Sequence, residues 1–371
     1  MLISTGQARE ERTTVGATNS VRVKDVAERA EVSVGTVSRV FHNHSNVAEE
    51  IRARVLQAAA ELGYRKTVSP HPPAQERALK ELGFLYCSFV DDHQAATENP
   101  FWSHILHGAE REARLFNMKV TYKAITDLVP TPRLLVTAIQ QMQLDGILLF
   151  GPTEAETILA LKRTNLPLVL VDNHVPGLSV DSVLCDNFEG ARLAVNHLIE
   201  QGHQQIAFIG GPVQAGPRPL NKIYTLERRS AGYRTALLDA GLPVDYRLFE
   251  ACDQLVPESG YAACERLLAR DVPFTAIFCA NDIIALGVMN ALQQAGKRIP
   301  ADISVIGFDD IALIGHLNPA LTTIRVEKEA LGATAVTSLL NRAKHPERAS
   351  ISSVLEVELV QRNSVSPRRR R

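Results

Sequence analysis

The chain has 371 residues, 45% of them hydrophobic, and a formal net charge of -1 at pH 7. This length is sufficient for two or three domains with cores of their own. The composition and balanced charge exclude a chain that is disordered throughout and one that coats nucleic acid through general positive charge, so any DNA-binding role must be local.

Cysteine usage and hydropathy indicate the compartment. The five cysteines are scattered and form no C-x-x-C pair, so they predict neither a disulfide framework nor a zinc site and are typical of buried thiols in a reducing environment. Charge appears from Arg9 onward, and no apolar run reaches the roughly 18 residues that a membrane helix needs. We expect a cytoplasmic protein with no membrane partner.

The first part of the chain combines a leader with a small helical domain. Residues 1–20 are rich in Thr, Ser, Gly and charge and predict a flexible leader. Over residues 21–65 the apolar spacing changes to that of short helices. Val26, Ala27 and Ala30 form a narrow apolar stripe on the first helix, which is short enough to need partners.

Two further helices are predicted in this domain. Ser33 is a good N-cap for a second helix, because its hydroxyl can accept a backbone N–H that is otherwise unpaired. The short connection before it, Glu31-Val32, favours a helix-turn-helix. A third helix is predicted from about Glu49 to Leu62, with a stop at Gly63. Its apolar face is predicted to contain Ile51, Val55, Leu56, Ala59 and Leu62.

The periodicity of this domain alone fits a helical bundle without a DNA role equally well. The strings "DVAERAEVSVGTVSRVF" (25–41) and "NVAEEIRARVLQAAAELGY" (46–64) are more specific. They resemble the DNA-binding headpiece of LacI-family bacterial transcription regulators. The resemblance implies that the second helix lies in the major groove of operator DNA.

The same resemblance assigns individual contacts. Val34, Gly35 and Arg39 are expected to face base edges, and Arg39 can bind guanine O6 and N7 together. Residues 21–66 contain eight basic and six acidic side chains, so one headpiece alone should bind weakly, and we expect a homodimer on a pseudo-palindromic operator. The full set of expected DNA-contacting residues is Ser33, Val34, Gly35, Thr36, Ser38, Arg39, His42 and Asn46, with Thr36 and Ser38 near phosphate.

The chain departs from the family pattern beside the recognition helix. His42 stands where the family usually has Asn, and Ala48, at the start of the third helix, has no side chain that can cap it. Asn46 or the backbone can substitute.

A proline-rich linker, residues 66–80, follows the headpiece. Pro70, Pro72 and Pro73 occupy the register in which the family has a hinge helix that wedges a leucine into the minor groove. Because proline fixes φ and removes backbone donors, a helix cannot form at the usual position, and an extended polyproline II spacer is predicted. A displaced helix over 74–82 is an alternative, as is a simple separation of two domains.

Beyond the linker, apolar runs alternate with helix-length amphipathic stretches, which predicts two lobes built on parallel sheets with ligands at the carboxyl ends of the strands. Predicted helices include 103–116, 189–201, 227–240 and 282–295, and "LEVELV" (355–360) is the predicted last strand. The predicted buried strands are 82–90, 118–124, 144–150, 166–172, 205–210, 274–280 and 303–308.

This pattern alone fits either a binding protein or a Rossmann-type enzyme. The chain has no G-x-G-x-x-G after a strand, no P-loop and no G-x-S-x-G elbow. "GGPVQAG" (210–216) is interpreted as a loop, and "HILH" (104–107), which lacks a third ligand, as a helix face. No catalytic residue, cofactor or metal is therefore expected.

The strings "LDGILLFGP" (144–152), "LPLVLVDN" (166–173), "ERRSAGYRTAL" (227–237), "FCANDIIALGVMNAL" (278–292) and "DISVIGFDDIA" (302–312) resemble the LacI-family effector core, which is similar to periplasmic sugar-binding proteins. The resemblance implies two lobes joined by three crossovers that close on a small molecule. Arginine donors, carboxylate acceptors and aromatic rings suit a sugar, although each such residue could instead have a structural role. The expected effector-binding residues are Phe101, Trp102, Asp172, Phe188, Arg229, Asn281 and Asp309.

The expected fold is a small all-α helix-turn-helix headpiece followed by a two-lobed, periplasmic-binding-protein-like α/β core at 81–363, with a solvated basic tail at 364–371. The expected function is a ligand-responsive transcriptional regulator, a repressor of carbohydrate-utilisation genes relieved by a sugar or related polar metabolite. Two alternatives remain open at this point. One is a cytoplasmic sugar-binding module with a vestigial DNA head, and the other is an α/β enzyme.

Overall fold

The computed structural model describes residues 23–41, 47–62, 79–87, 99–210, 223–252 and 254–368. The chain divides into two compact units at the bond between Arg77 and Ala78. The first unit contains the predicted helical headpiece and the second the predicted α/β core.

The first unit contains three helices around one small core. They are α1 (Val23–Arg29), α2 (Val34–Phe41) and α3 (Glu49–Glu61). The predicted stripe of Val26, Ala27 and Ala30 is buried. The rest of this core is formed by Val37, Val40, Val55, Ala58 and Ala59.

The N-terminal capping of α2 and of α3 agrees with the sequence prediction. The Ser33 hydroxyl accepts the backbone N–H of Thr36 at 3.1 Å, which confirms the predicted N-cap of α2. Ala48 makes no side-chain cap of α3, as its methyl group requires. Glu31, in the turn between α1 and α2, has a φ of 54° and so ends α1 in the left-handed region.

One residue of the predicted apolar face of α3 is placed differently. The side chain of Leu56 is 49% exposed, whereas Ala58 is buried. Residues Val55, Ala58 and Ala59 share a face at i, i+3 and i+4, and Leu56 is rotated by about 100° from Val55. The prediction of Leu56 as a core residue is therefore wrong.

The second unit has two parallel sheets and one antiparallel ribbon, as the predicted fold class requires. The strands are β1 (Glu81–Tyr86), β2 (Lys119–Ala124), β3 (Gly146–Phe150), β4 (Leu168–Val171), β5 (Asp181–Cys185), β6 (Ile206–Gly210), β7 (Phe249–Ala251), β8 (Ala276–Cys279), β9 (Ser304–Ile306), β10 (Thr323–Val326), β11 (Ser352–Leu355) and β12 (Val357–Val360). A six-stranded sheet has the order β11-β5-β4-β3-β1-β2, a four-stranded sheet has the order β7-β6-β8-β9, and β10 pairs antiparallel with β12.

Helices cover both sheets. They are α4 (Trp102–Leu115), α5 (Pro132–Gln141), α6 (Ala155–Lys162), α7 (Asn187–Glu200), α8 (Tyr224–Asp239), α9 (Pro257–Ala269), α10 (Asp282–Gln294) and α11 (Lys328–Lys344). α11 packs against α4 and the six-stranded sheet, whereas α7 packs against α8 and the ribbon.

The chain passes between the two lobes three times, in agreement with the expected crossovers. The first passage follows β5 at Asp186, the second lies at Glu327 between β10 and α11, and the third at Glu356 between β11 and β12. Glu356 therefore splits the predicted single strand 355–360. The first residue of that predicted strand, Leu355, ends β11 in the six-stranded sheet, and its last four residues, Val357–Val360, form β12 in the ribbon.

Both predicted ends of the core differ in the structure. The Asp145 carboxylate accepts the backbone N–H groups of Lys80 and Glu81 at 2.8 and 3.0 Å, so Lys80 already belongs to the core. At the other end Ser364 is fully buried, and its hydroxyl donates to the carbonyl of Val305 at 2.6 Å. Residues 364–366, predicted as the start of a solvated tail, therefore pack along β9: Ser364 O accepts the Val305 N–H, and the Ser366 N–H donates to Ser304 Oγ.

Several predictions lie outside the described residues: the leader, His42, Asn46, Pro70, Pro72, Pro73 and the loop 211–216. The expected absence of the hinge helix therefore stays a prediction. No helix in the described ranges is both long and apolar enough to span a bilayer.

Candidate ligand cleft and DNA-binding helix

Helix α2 presents an open surface in the first unit. Val34 is 48% exposed, and Gly35 and Arg39 are also exposed. Arg39 Nε donates to the Gly35 carbonyl oxygen at 3.3 Å, so this side chain lies along its own helix. Ser33 and Thr36 hydroxyls lie 2.9 Å apart at the helix start. These residues are placed on an accessible face, as a groove-reading helix requires.

Gly35 has no packing role in the fold. A Cβ at this position would meet only Ser33 Oγ at 3.7 Å and Arg39 Nη2 at 3.9 Å, which are ordinary contact distances. Since glycine is a poor helix former, its presence here favours the close approach of an external surface over a constraint from inside the headpiece.

In the second unit, the candidate ligand site is a cleft between the two lobes at the carboxyl ends of the strands. Asp172 directly follows β4, Asn281 is the second residue after β8, and Asp309 is the third residue after β9. Ligands bind at such edges in open α/β sheets. The described lining residues are Asn99, Phe101, Trp102, Pro152, Asp172, Ile223, Thr225, Leu226, Arg229, Leu255, Asn281, Ile283 and Asp309.

Six of the seven predicted effector-binding residues lie in this lining. Phe188 does not: its ring packs beneath the guanidinium of Arg228, 4.8 Å from the Arg228 Cζ atom. Phe188 is therefore part of the contact between α7 and α8 in this structure.

Arg229 on α8 is the most heavily bonded side chain of the cleft. It is 3% exposed, and its Nε donates to Asn187 Oδ1 at 2.7 Å and its Nη1 to the Ala280 carbonyl at 2.6 Å. Its Nη2 lies 3.1 Å from Asp309 Oδ1, and its guanidinium lies 3.7 Å from the centroid of the Phe308 ring. This side chain thereby joins α7, the end of β8 and the loop after β9.

Two carboxylates in the cleft retain unused acceptor atoms. Asp172 Oδ1 is buried without a hydrogen-bond partner, and Asp309 Oδ1 has no described contact other than the ion pair with Arg229. Both aspartates have positive φ angles, 52° for Asp172 and 111° for Asp309. A non-glycine residue in this region stores strain and is often found at a functional site.

Burial controls the protonation of these carboxyls. It raises the pKa of Asp172 to about 7, which Arg229 opposes and Asp309 reinforces. Burial also raises the pKa of Asp309, against the opposing effect of Arg229. Desolvation disfavours the charged form of each acid, so the cleft is poised to gain from a ligand that donates hydrogen bonds to them.

The Asn281 and Asp282 side chains make hydrogen bonds that stabilise the fold, a role that the residue spacing alone does not reveal. Asn281 Oδ1 caps α10 by accepting the Ile284 N–H at 2.8 Å, so its amide group is the part that can serve a ligand. Asp282 is fully buried and accepts from Thr323 Oγ1 at 2.6 Å and from the Ile311 N–H at 3.0 Å. Asp282, which was not predicted, holds the loop that carries Asp309.

Asp310, the next residue in this loop, faces the crossovers. Its carboxylate accepts from Arg325 Nε at 2.8 Å and from Arg362 Nη2 at 2.6 Å. Lys328 Nζ donates to the carbonyl oxygens of Asp309 and Asp310 at 2.6 and 3.0 Å. Burial alone would raise the pKa of Asp310, but the hydrogen bonds from the two arginines hold it below its usual value. The loop is therefore fastened to the segments that connect the lobes.

The cleft lining also contains two aromatic rings, those of Phe101 and Trp102. Trp102 lies at the start of α4, and its ring makes edge contacts with Phe101 and Phe150 at centroid distances of 5.0 and 6.1 Å. It is the only tryptophan of the chain. Together with the acids, such a ring suits a ligand that has both hydroxyl groups and an apolar face. Within the described residues, no cluster of three or more side chains could hold a metal ion.

The apolar lining residues Ile223, Leu226, Leu255 and Ile283 were not predicted. Leu226 lies three residues before Arg229 on α8, and Ile283 lies two residues after Asn281. Leu226 could have been predicted only from its i, i+3 spacing to Arg229, which places both side chains on the same face of α8.

The chain is similar to known regulatory proteins over most of its length. The family described as "Bacterial regulatory proteins, lacI family" matches residues 22–67, and a periplasmic binding protein-like domain matches residues 195–365. The probable HTH-type transcriptional repressor ExuR of Bacillus subtilis (strain 168) is 30% identical over 348 residues, which cover 93% of this chain and 98% of that protein.

Solved structures are similar to nearly the whole chain as well. A complex of the transcriptional regulator CelR with cellobiose has a TM-score of 0.68 at 28% identity, over 93% of this chain and 99% of that one. A lac repressor dimer bound to operator and the anti-inducer ONPF has a TM-score of 0.66 at 28% identity, over 94% of this chain and 100% of that one.

Proposed function

This chain belongs to the lacI family of bacterial regulatory proteins, and we propose that it is a cytoplasmic transcriptional repressor that binds a pseudo-palindromic operator as a homodimer and responds to a sugar. The observation that carries the proposal is the presence in one chain of an exposed α2 and of a cleft in which Asp172, Arg229 and Asp309 meet. The first feature serves DNA and the second a small polar ligand.

On DNA, α2 enters the major groove and Arg39 reads a base. In the free protein Arg39 Nε donates to the Gly35 carbonyl at 3.3 Å, a long hydrogen bond that can be exchanged for a bidentate contact with guanine. Ser33 and Thr36, at the start of the same helix, lie where phosphate contacts position such a helix.

A sugar effector is supported by the chemistry of the cleft and by the relatives. Carboxylate oxygens accept from hydroxyl groups, and the Trp102 ring can cover an apolar sugar face. The similar regulator CelR is known in complex with cellobiose. Carbohydrate-utilisation genes are the corresponding regulatory targets.

Ligand and DNA affinity are coupled through the lobes. A ligand that contacts Asp172 after β4 of one lobe and Asp309 after β9 of the other favours the closed arrangement. Closure alters the spacing of the two headpieces of a dimer, and the resulting coupling free energy acts equally on both ligands.

The experiment that tests this function is selection of host genomic fragments by the full-length protein at fixed salt, with sequencing of the retained DNA. A recovered palindrome supports site-specific binding, and its neighbouring genes indicate the effector. Fluorescence of Trp102 then reports whether candidate sugars enter the cleft. Sugar binding with no enriched site, with or without sugar, would favour the alternative of a binding module, and turnover of the bound sugar would favour an enzyme.

A further inference from the structure

The charge of the cleft constrains which sugars it can hold. Among the described lining residues, only Asp172, Arg229 and Asp309 carry formal charge. The remaining polar groups are neutral, and two of their oxygens are already used: Asn99 Oδ1 accepts the backbone N–H of Phe101 at 2.9 Å, and Asn281 Oδ1 accepts that of Ile284 at 2.8 Å. The described cleft therefore has two carboxylates for one cation.

That cation is committed to the protein. Arg229 donates to Asn187 and to the Ala280 carbonyl and pairs with Asp309. A ligand carboxylate or phosphate that drew this guanidinium towards itself would compete with Asp309 for it. Asp309 would then be left buried and unpaired, which is strongly unfavourable.

The unused atoms of the cleft are acceptors. Asp172 Oδ1 is buried without a hydrogen bond, Asp309 Oδ1 has only the ion pair with Arg229, and both residues line the same cleft. A hydroxyl group satisfies such an atom, because it can donate. An anionic group has no proton to donate and adds like-charge repulsion to a desolvated site.

We propose that the cleft selects a neutral, hydroxyl-rich sugar whose hydroxyl groups donate to Asp172 and Asp309, and that it discriminates against the acid and phosphorylated forms of the same sugar. This selectivity rests on the proposed sugar-responsive function. Asp172 is the specificity-determining residue, since it has no arginine partner within hydrogen-bond distance and its charge therefore faces the ligand directly.

The test compares matched neutral and anionic sugars on the full-length protein by calorimetry and by Trp102 fluorescence. The pairs are glucose and glucuronate, galactose and galacturonate, and ribose and ribose 5-phosphate, with cellobiose added as a neutral disaccharide. Measurements at pH 8 keep Asp172, whose pKa burial raises to about 7, mainly ionised. We expect at least one neutral sugar to bind at least tenfold more tightly than its anionic partner.

The variant Asp172→Asn separates charge selection from a general loss of structure. It should reduce the neutral-to-anionic affinity ratio at least threefold, because the amide removes the repulsion but keeps the shape. Asp239→Asn is the matched control on α8, where Asp239 is an exposed partner of Arg192, and it should leave the ratio unchanged. An unchanged ratio in Asp172→Asn would overturn the assignment.

A second arm covers effectors outside this panel. Small molecules extracted from host cells are divided by anion exchange into neutral and acidic fractions, and each is tested for its effect on operator binding. Activity confined to the neutral fraction supports the proposal, and activity confined to the acidic fraction overturns it while sugar-responsive regulation stands. If neither fraction acts on a protein that binds its operator, ligand responsiveness and this selectivity both fail.

Discussion

Arg229 Nη2 lies 3.1 Å from Asp309 Oδ1, and both side chains are almost completely buried. The pair therefore has a structural role in addition to any contact with ligand. Removing one partner of a buried pair leaves an uncompensated charge, at a cost of about 3–5 kcal/mol.

The first prediction follows from this pair. Arg229→Met should lower the free energy of unfolding by about 3–5 kcal/mol, because Asp309 loses its counter-charge and Asn187 and Ala280 lose a donor. Asp309→Asn should cost less, since the amide remains a hydrogen-bonding group beside the guanidinium. Urea unfolding of both variants checks the order, and a larger loss in Asp309→Asn would show that an isolated arginine is tolerated less well here than an isolated aspartate.

The second prediction concerns pH. The pKa of Asp172 is raised by burial to about 7 from its ordinary value near 3.8, so between these values the folded chain holds a proton that the unfolded chain has lost. The contribution of Asp172 to stability is therefore present below about pH 4 and decreases as the pH rises to 7. Arg229 and Asp309 are the charged groups that face it.

Asp172→Asn should remove this decrease. The variant should gain stability relative to the parent by an amount that is larger at pH 8 than at pH 5, because only the parent must ionise a buried acid. Thermal unfolding at both pH values measures the difference. If the gain were the same at the two values, Asp172 would titrate normally.

The sequence predicts those strands and helices whose signal is local, and it misses strands that contain a charged residue paired with a distant partner. Long apolar runs such as β3 and capped helices such as α10 were predicted because their signals are local. β5 was missed because it begins with Asp181, an acid that becomes acceptable in a strand only through the ion pair with Arg342 at 2.7 Å. β7 was missed for the same reason, since Glu250 is paired with Arg266 and Arg270.

The candidate site shows the same division. Asp172 and Asp309 were expected from the resemblance of their motifs, and they lie beyond strand ends, where ligands bind in open α/β sheets. Phe188 could not be placed from the sequence, because whether its ring faces the cleft or Arg228 depends on helix packing. The fastening of Asp310 by Arg325 and Arg362 involves partners 15 and 52 residues away and has no local signal.

The third prediction tests that fastening. Asp310→Asn should weaken effector binding although Asp310 does not line the cleft, because the Asp309 backbone would lose its anchorage. Loss of charge-assisted hydrogen bonds should also reduce stability by about 1.5–3 kcal/mol. Asp239→Asn again serves as the control. Unaltered effector affinity in Asp310→Asn would show that Lys328 and Asp282 hold the loop without it.

The fourth prediction uses Gly35. A Cβ at this position meets nothing closer than 3.7 Å, so Gly35→Ala should leave the headpiece folded or stabilise it by up to about 1 kcal/mol. Operator affinity should nevertheless fall, because the added methyl group keeps α2 from the groove. Thermal unfolding and DNA titration of the same variant separate the two effects, and full affinity would mean that the backbone does not approach the bases closely here.

The fifth prediction distinguishes base reading from phosphate contact at Arg39. If Arg39 binds guanine, Arg39→Ala should cost about 1–3 kcal/mol on the cognate operator and relax specificity at one base pair per half-site. A phosphate contact would instead weaken binding to all sequences alike and reduce the salt dependence by about one unit of slope. Because Arg39 also donates to the Gly35 carbonyl in the free chain, its removal leaves an exposed carbonyl that water can satisfy, so the fold should be unaffected. Titration of operators with single substitutions, at two salt concentrations, decides between the two roles.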